Sequence, residues 1–494
     1  MCISVLTVIF LVGVITLICY ISGVNAWKRN IQQNFPPGPR PMPFIGNMHI
    51  MNIKRPYQSW CELSEQYGSV FSIQLGMKKM VILTGYETVK EALVGHADVF
   101  EERARIPVSE DISKGYGILF SHGENWKVMR RFTIRTLRDL GIGKRTIEDK
   151  IIEECDFLIK HFESFHGTPF DTLMSITLPV ANIIASILQG YRFDYNDPVL
   201  QRLIHIIDEG ERLLGSPTVL LYNIVPILGF LSRNLRIIQS NAMEINAYIK
   251  SRLMECHEQL DTNGQRRFID AFLSRQKKEK DNPNTYFNEE NLVAVVRNFV
   301  VAGISTISTT LRWGLLLMMK YPEIQEKVQE EIKRVIGSSQ PRAEHRKYMP
   351  YTDAVIHEVQ RFADIVPMNL PHETTRDINF KGYFLPKGTI IFPLLTSVLR
   401  DKRHFENPEE FNPQHFLDSG GKFVKKDAFI PFSTGRRVCM GETLAKMELF
   451  LFFTSLLQKF TIRLPPGVTQ VNLTPGTGII ISPKPHLICA LQRS

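Results

Sequence analysis

The sequence predicts a mainly α-helical protein with small β-sheets, set behind an amino-terminal membrane helix. Three patterns predict it. An uncharged apolar run opens the chain, and long stretches with a 3.6-residue apolar period fill its middle. Short β-like runs flank that middle on both sides.

The apolar run extends from Ile3 to Val24, 22 residues without a charge. As a helix it would span roughly 33 Å, enough for a hydrocarbon core. Trp27, Lys28 and Arg29 follow it and no Lys or Arg precedes it, so the bulk of the chain is expected on the cytosolic side. A cleaved signal peptide is the alternative, with Val24-Asn25-Ala26 as its small-residue site. The missing basic region and the length of the run oppose it. Next, Phe35-Pro36-Pro37-Gly38-Pro39-Arg40-Pro41-Met42-Pro43 cannot be helical and reads as a stiff connector. The division is therefore an anchor over 3–24, a basic and proline-rich hinge over 25–43, and one large domain over 44–494.

Composition bounds the function. Of 494 residues, 44% are hydrophobic and 22% charged, which excludes a disordered or fibrous protein. A net charge of +9 is mild for this length. It suits an acidic protein partner or an anionic membrane surface, and no nucleic-acid motif is present. Seven scattered cysteines without a CxxC pair argue against a disulfide framework and a structural zinc site, and place the domain in a reducing compartment.

In chain order, Val70 to Leu75 and Met80 to Leu83 predict a hairpin joined by Gly76-Met77-Lys78-Lys79. Helical periods follow over Thr146 to Phe165, Val199 to Leu214, Leu235 to Leu260 and Asn291 to Met319. Lys277 to Asn288 reads as a polar surface loop. Strand-like pieces return at Asn379 to Tyr383 and Thr389 to Phe392.

The most informative cluster is Phe432-Ser433-Thr434-Gly435-Arg436-Arg437-Val438-Cys439-Met440-Gly441, which runs into a helical pattern. Its cysteine sits where a glycine-bearing loop enters a helix, where backbone N–H groups favour a thiolate. The two glycines let the backbone approach a flat group, and a basic side chain two residues before the sulfur can pair with an acidic one. A buried structural cysteine and a cysteine-hydrolase nucleophile are the other readings; for the latter no partner histidine stands out among 13.

This decapeptide resembles the FxxGxRxCxG haem-thiolate signature of the cytochrome P-450 monooxygenases, with Phe432, Gly435, Arg437, Cys439 and Gly441 in place. The resemblance runs from the proline hinge to the carboxyl terminus and is strongest to the vertebrate microsomal family that oxidises drugs and lipids. It implies a large helical domain with a smaller β-rich region, haem b with Cys439 as axial iron ligand, and electrons from NADPH through a flavoprotein reductase.

Further motifs carry it. Glu358-Val359-Gln360-Arg361 matches the ExxR pair, and Phe411 to Phe416 resembles the segment that completes its network, with His415 where many members carry Arg. Trp126 and Arg130 match a WxxxR pattern. By the resemblance Trp126, Arg130, Arg103, His372 and Arg437 would contact the haem propionates, and Phe432, Gly441 and Ala302 would lie against the cofactor. Lys127, Arg131, Arg135 and Arg138 form one basic helical stripe. It is read as a docking face for NADPH-cytochrome reductase, with cytochrome b5 as a second partner.

On the distal side, Asn298-Phe299-Val300-Val301-Ala302-Gly303-Ile304-Ser305-Thr306-Ile307 resembles the family's oxygen-binding groove. Thr306 can bond back to the Ala302 carbonyl and order water. One departure stands out: the pattern has Asp or Glu where this chain has Ser305. An acid can bring a proton inward, whereas serine can only relay one. The expectation is that an acid at 305 would raise product formed per NADPH. Substrate contacts are expected from Ile106 to Leu119, Leu213 to Val219, Ile304, Val366 to Leu370 and Thr477 to Ile479. Leu220 to Leu231, too short to span a bilayer, either dips into the membrane or packs in the core. The resulting expectation is an endoplasmic reticulum monooxygenase for a lipophilic small molecule. A reductase-independent hydroperoxide isomerase or dehydratase and a non-catalytic haem sensor are the alternatives.

Overall fold

The computed structural model describes residues 34–263 and 267–493. The anchor expected over 3–24 and the first part of the hinge lie outside the described residues. Among the described residues the helices are α1 (Pro56–Tyr67), α2 (Tyr86–Lys90), α3 (Pro107–Ser113), α4 (Gly123–Asp139), α5 (Arg145–Glu163), α6 (Thr172–Gln189), α7 (Pro198–Leu214) and α8 (Pro217–Ile224). They continue with α9 (Arg233–Asn263), α10 (Phe268–Lys278), α11 (Glu289–Lys320), α12 (Pro322–Val335), α13 (Pro350–Ala363), α14 (Leu395–Leu399) and α15 (Glu442–Lys459).

Local chemistry sets many of the ends. Asp171 caps α6 by accepting from the Leu173 N–H, and Asp197 caps α7 with Pro198 at its first turn. Asn288 caps α11 through the Asn291 N–H, and α13 stops at left-handed Asp364. The helices expected from periodicity correspond to α5, α7, α9 and α11. Both α6 and α11 are long and apolar enough to cross a bilayer, yet both are mostly buried inside the protein. They pack on each other, and α11 also touches α9, α13 and α15, so it forms the central axis.

The sheets sit beside this helical body. The largest has strand order β1-β2-β8-β5-β3, from β1 (Val70–Leu75), β2 (Lys78–Leu83), β3 (Glu102–Arg103), β5 (His372–Glu373) and β8 (Ile390–Pro393). A second joins β4 (Phe170–Asp171), β10 (Leu487–Gln492) and β9 (Phe460–Arg463), and a third joins β6 (Ile378–Phe380) to β7 (Tyr383–Leu385). The first hairpin has a tighter turn than expected. Lys78 and Lys79 already pair with Leu75 and Gln74, which leaves Gly76-Met77 as the turn. The piece expected as one strand at Asn379 to Tyr383 is itself a hairpin turning at Lys381 and Gly382. Both have positive φ, 48° and 83°, as a type I′ turn requires.

The segment from Leu220 to Leu231 does not pack in the core: Ile227, Phe230 and Leu231 are 78%, 73% and 67% exposed.

One buried ion pair ties the second half of the chain together. Arg361 donates from Nε and Nη2 to the two Glu358 oxygens, at 2.7 Å each, and both side chains have no solvent exposure. Its remaining N–H groups reach the carbonyls of Leu399, Pro408 and Glu410. Glu358 also accepts from the Asn412 N–H at 2.8 Å and meets His415 Nδ1 at 3.1 Å. Glu358→Ala would leave a buried, unpaired guanidinium and is expected to cost about 3–5 kcal/mol. Denaturant unfolding checks it, with a lower midpoint expected at an unchanged slope; an unmoved midpoint would refute the tie.

Candidate active site

The loop before α15 presents Cys439. Gly435 has φ of +79°, and a Cβ there would lie 2.0 Å from the Leu93 carbonyl oxygen. Its glycine requirement thus comes from the neighbouring Leu93 backbone, not from a flat ligand as the sequence suggested. Gly441 does line the cavity, with its Cβ position 3.8 Å from the Cys439 sulfur. The Cys439 N–H donates to the Phe432 carbonyl at 3.1 Å, closing the loop on itself.

The Cys439 side chain is open to an internal cavity while enclosed by protein. Burial raises the thiol's pKa, although the Gly441 and Glu442 N–H groups and Arg130 pull the other way. The helix start is therefore not enough to hold a thiolate; a coordinated metal ion would be.

A cationic wall faces the same cavity. Arg437 donates to the carbonyls of Glu101 at 2.8 Å and Ser121 at 2.9 Å, and its guanidinium lies 3.7 Å from the centre of the Trp126 ring. Arg103 donates from Nη1 to the Leu370 carbonyl at 3.1 Å, and Arg130 to that of Val438 at 2.7 Å. Burial lowers the pKa of all three guanidiniums, and the neighbouring arginines add to this at Arg103 and Arg437. The nearest compensating carboxylate, Glu102, is 3.6 Å from Arg437 and also accepts from His122. Trp126 Nε1 is buried without a hydrogen-bond partner. An excess of buried cations beside an unpartnered N–H suits an acidic edge of a bound group.

His372 departs from its expected role. Its Nδ1 meets the Phe100 carbonyl at 2.6 Å and its Nε2 meets Arg103 Nη1 at 2.7 Å. With Nδ1 donating, Nε2 must accept from the arginine and has no proton to offer a carboxylate. Burial and Arg103 push its pKa well down, and it does not line the cavity. It positions Arg103 instead.

Opposite stands α11. Thr306 Oγ1 donates to the Ala302 carbonyl at 2.8 Å, and Ala302, Gly303 and Thr306 all line the cavity. What approaches the Gly303 backbone is Ile184 of α6: a Cβ there would meet Ile184 Cδ1 at 2.7 Å. Ser305 is buried, donates to the Val301 carbonyl at 2.9 Å, and does not line the cavity.

Of the expected substrate contacts, Ile118, Leu119, Val366, Asn369 and Leu370 line the cavity, and Thr477 to Ile479 do not. Ile304 is buried away from it, and Leu213 and Val219 belong to a separate apolar cluster with Val108 and Leu235. Sequence reasoning missed Ile184, Ile187 and Leu188, which line it. An apolar helix such as α6 gives no sequence signal for which of its faces meets a cavity.

These residues fit a haem group: a thiol for the iron, guanidiniums and an indole N–H for its acidic edge, and an apolar surround. Comparison with known proteins agrees. The family model described as Cytochrome P450 matches residues 36–490. The chain is 50% identical over 462 residues to Cytochrome P450 2K1 of Oncorhynchus mykiss, covering 93% of this chain and 92% of that protein. It is 50% identical to Cytochrome P450 2K6 of Danio rerio over 457 residues (92% and 90% of the two chains) and 46% identical to Cytochrome P450 2C11 of Rattus norvegicus over 456 (92% and 91%).

Arg437→Leu removes the buried cation that stacks on Trp126, and Trp126→Phe removes only the unpartnered N–H. Haem retention is expected to fall about 10-fold or more in the first and less in the second, in line with about 1.5–3 kcal/mol for a charged hydrogen bond and about 1 for a neutral one. Pyridine-haemochrome content after dialysis against a haem acceptor measures both, and equal retention in all three proteins would refute the cationic wall's role.

Proposed function

This chain belongs to the cytochrome P450 family and is a cytochrome P450 monooxygenase; on that premise we propose that it works in the endoplasmic reticulum membrane, takes electrons from NADPH through a flavoprotein reductase, and oxidises a lipophilic small molecule. The observation that carries the reading is the convergence of the Cys439 sulfur, the buried Arg103 and Arg437, the half-buried Arg130 and Thr306 on one mainly apolar cavity.

When bound, haem with a cysteine thiolate on its iron supplies the activation of O₂. The chain's own residues do the rest. Cys439 would hold the iron, and Arg103, Arg130, Arg437 and Trp126 would hold the acidic edge, with His372 fixing Arg103. Phe432 and Gly441 flank the thiolate. Ile184, Ile187 and Phe299 exclude water and favour an apolar substrate. Thr306, back-bonded to Ala302, holds water for proton delivery, with Ser305 behind it.

Membrane contact is supported by one apolar surface. Ile227, Phe230 and Leu231 follow α8, whose Ile224 packs against Gly76 at the tip of the first hairpin. Met77 at that tip is 70% exposed, and Phe44 and Ile45 beside the hairpin are also exposed. Reductase docking is supported by α4. Arg131, Arg135 and Arg138 are exposed, and Arg131 and Arg138 have no ion-pair partner among the described residues. Lys127 contributes less than its spacing suggested, because Glu124 at 2.9 Å and Glu101 at 3.8 Å neutralise it. Such a face serves a reductase-dependent enzyme and has no use in a reductase-independent isomerase or a haem sensor.

Two outcomes test the reading. Cys439→Ser is expected to abolish the thiolate-type band of the reduced carbon-monoxide complex; a haem-loaded variant that keeps the band would overturn the ligand assignment. Reversing Arg131 and Arg138 to Glu together is expected to cut reductase-supported turnover about tenfold at low ionic strength and to flatten its salt dependence. Peroxide-supported turnover should persist. Equal loss of both activities would place these residues in folding instead of docking.

A further inference from the structure

Between Arg103 and Ile118, both in the cavity wall, the chain leaves that wall to build α3. Helix α3 sits in a small apolar cluster of its own, where Val108 packs with Val219 and Leu235 and not with the main core. Side chains of α8 and α11 hold one side of it. Asn223 accepts from the Val108 N–H at 3.1 Å, Tyr222 donates to Asp111 at 2.6 Å, and Arg297 donates to the Ile112 carbonyl at 3.0 Å. Toward the arginine wall, one side-chain bond reaches α3 among the described residues, from His122 to Glu110. His122 is the N-cap of α4, and its side chain is 15% exposed. Its Nδ1 lies 2.9 Å from Glu102 Oε1, and its Nε2 lies 2.9 Å from Glu110 Oε1. Both nitrogens can donate to their carboxylates only when the ring is an imidazolium. The start of a helix disfavours a cation, so it is the carboxylates that hold the charge there. Bonding to Glu102, and then to Glu110, raises the ring's pKa against the opposing effect of burial. The two acids differ in freedom. Glu102 belongs to β3, also accepts from the Gly123 N–H at 3.3 Å, and lies 3.6 Å from Arg437. Glu110 has His122 as its sole side-chain partner among the described residues. The next charges on α4, Glu124 and Lys127, pair with each other at 2.9 Å.

We propose that protonated His122 is a positioning residue for substrate, a clasp that holds α3 against the cavity wall through Glu110 and releases it when the ring loses its proton. The proposal rests on the monooxygenase reading and adds to it a control of substrate affinity by pH. When the imidazolium gives one proton to solvent, one ring nitrogen is left with a lone pair facing a carboxylate. Glu102 is fixed in its strand beside Arg437 and cannot turn away, so the remaining proton stays on Nδ1. The repulsion then falls between Nε2 and Glu110. That carboxylate is 30% exposed and belongs to a helix outside the main core, so it turns to water and α3 loses its tie to α4. Because the ring's pKa is raised, the clasp is complete below the ordinary histidine value of 6.5 and is lost as pH climbs through the higher value of the closed site. Substrate contacts at Ile118 and Leu119, where the chain rejoins the cavity, loosen with it.

The test uses the full-length haem-loaded enzyme with NADPH-cytochrome reductase in phospholipid vesicles, at about pH 6 and about pH 9. Hydrogen exchange reads the protection of α3, corrected for the intrinsic exchange rate at each pH. The substrate-induced Soret shift reads the affinity for one substrate that the parent oxidises. In the parent, protection and affinity should both fall about tenfold from the lower pH to the higher, as expected for the loss of one charged hydrogen bond. His122→Arg keeps its charge and can bridge both carboxylates, so it should hold the low-pH values at both. His122→Ala should show the high-pH values at both. A parent whose α3 protection does not change with pH would overturn the proposal. So would a His122→Arg enzyme with an intact carbon-monoxide band that loses protection and affinity at the higher pH as the parent does, since the titrating group would then lie elsewhere. Should the His122 variants fail to fold, Glu110→Gln decides the matter. Its carboxamide can accept from or donate to a neutral ring, so the pH dependence should vanish, and a parental dependence there is equally fatal. Failure of the underlying reading would look different: the parent would form no NADPH-dependent product, while the protection of α3 would still follow pH.

Discussion

The fully buried Glu358–Arg361 pair is the constraint on which the reactive end of the molecule depends. Two charges without solvent exposure are tolerable only if every lone pair and N–H finds a partner. Here those partners are backbone groups of Leu399, Pro408, Glu410 and Asn412, together with the His415 ring. Satisfying the pair therefore folds the 399–416 stretch onto α13. Phe416 then packs on Phe405 and Phe429, at ring distances of 5.9 and 5.0 Å, and Phe429 leads straight into the loop that ends at Cys439. The loop's rigidity is inherited from an electrostatic demand made elsewhere in the chain.

The site itself is electrostatically unfinished in the protein alone. On one side, buried arginines crowd one another. On the other, burial opposes ionisation of the very thiol that must become a ligand. A group carrying an acidic edge and a central metal ion relieves both strains at once, because the anions meet the cations and the metal stabilises the thiolate. The polarity of the cavity thus fixes which way round such a group binds. His372 serves this arrangement indirectly, by accepting from Arg103 while remaining uncharged.

Helix α11 resolves a related conflict. It runs through the apolar core, yet it carries Ser305, Thr306, Ser308 and Thr310 in close succession. Each hydroxyl donates to the carbonyl four residues earlier, at 2.8–2.9 Å, so none is left unpaired in the core. Such back-bonding also perturbs the helix locally. Adjacent hydroxyls look in different directions: Thr306 lines the cavity, and Ser305 does not. One short stretch of sequence therefore serves both the cavity and the core packing behind it.

Features that depend on local period or on a fixed spacing were legible in the sequence. Val70 to Leu83 announced a hairpin because side chains of a strand alternate and a glycine marks its turn. Four of the helices between Thr146 and Met319, namely α5, α7, α9 and α11, announced themselves by their 3.6-residue period. Cys439, Arg437 and Gly441 stood in one short motif, and Glu358 and Arg361 lay one turn apart on a helix. Tertiary structure decided what those residues touch. It gave His372 to Arg103, set Gly435 against Leu93, and let Glu124 and Glu101 neutralise Lys127. Nothing in the spacing of either partner encodes these meetings. They follow from how separate helices and loops pack around a shared core, and periodicity specifies only the face an element buries, never the residue it will find there.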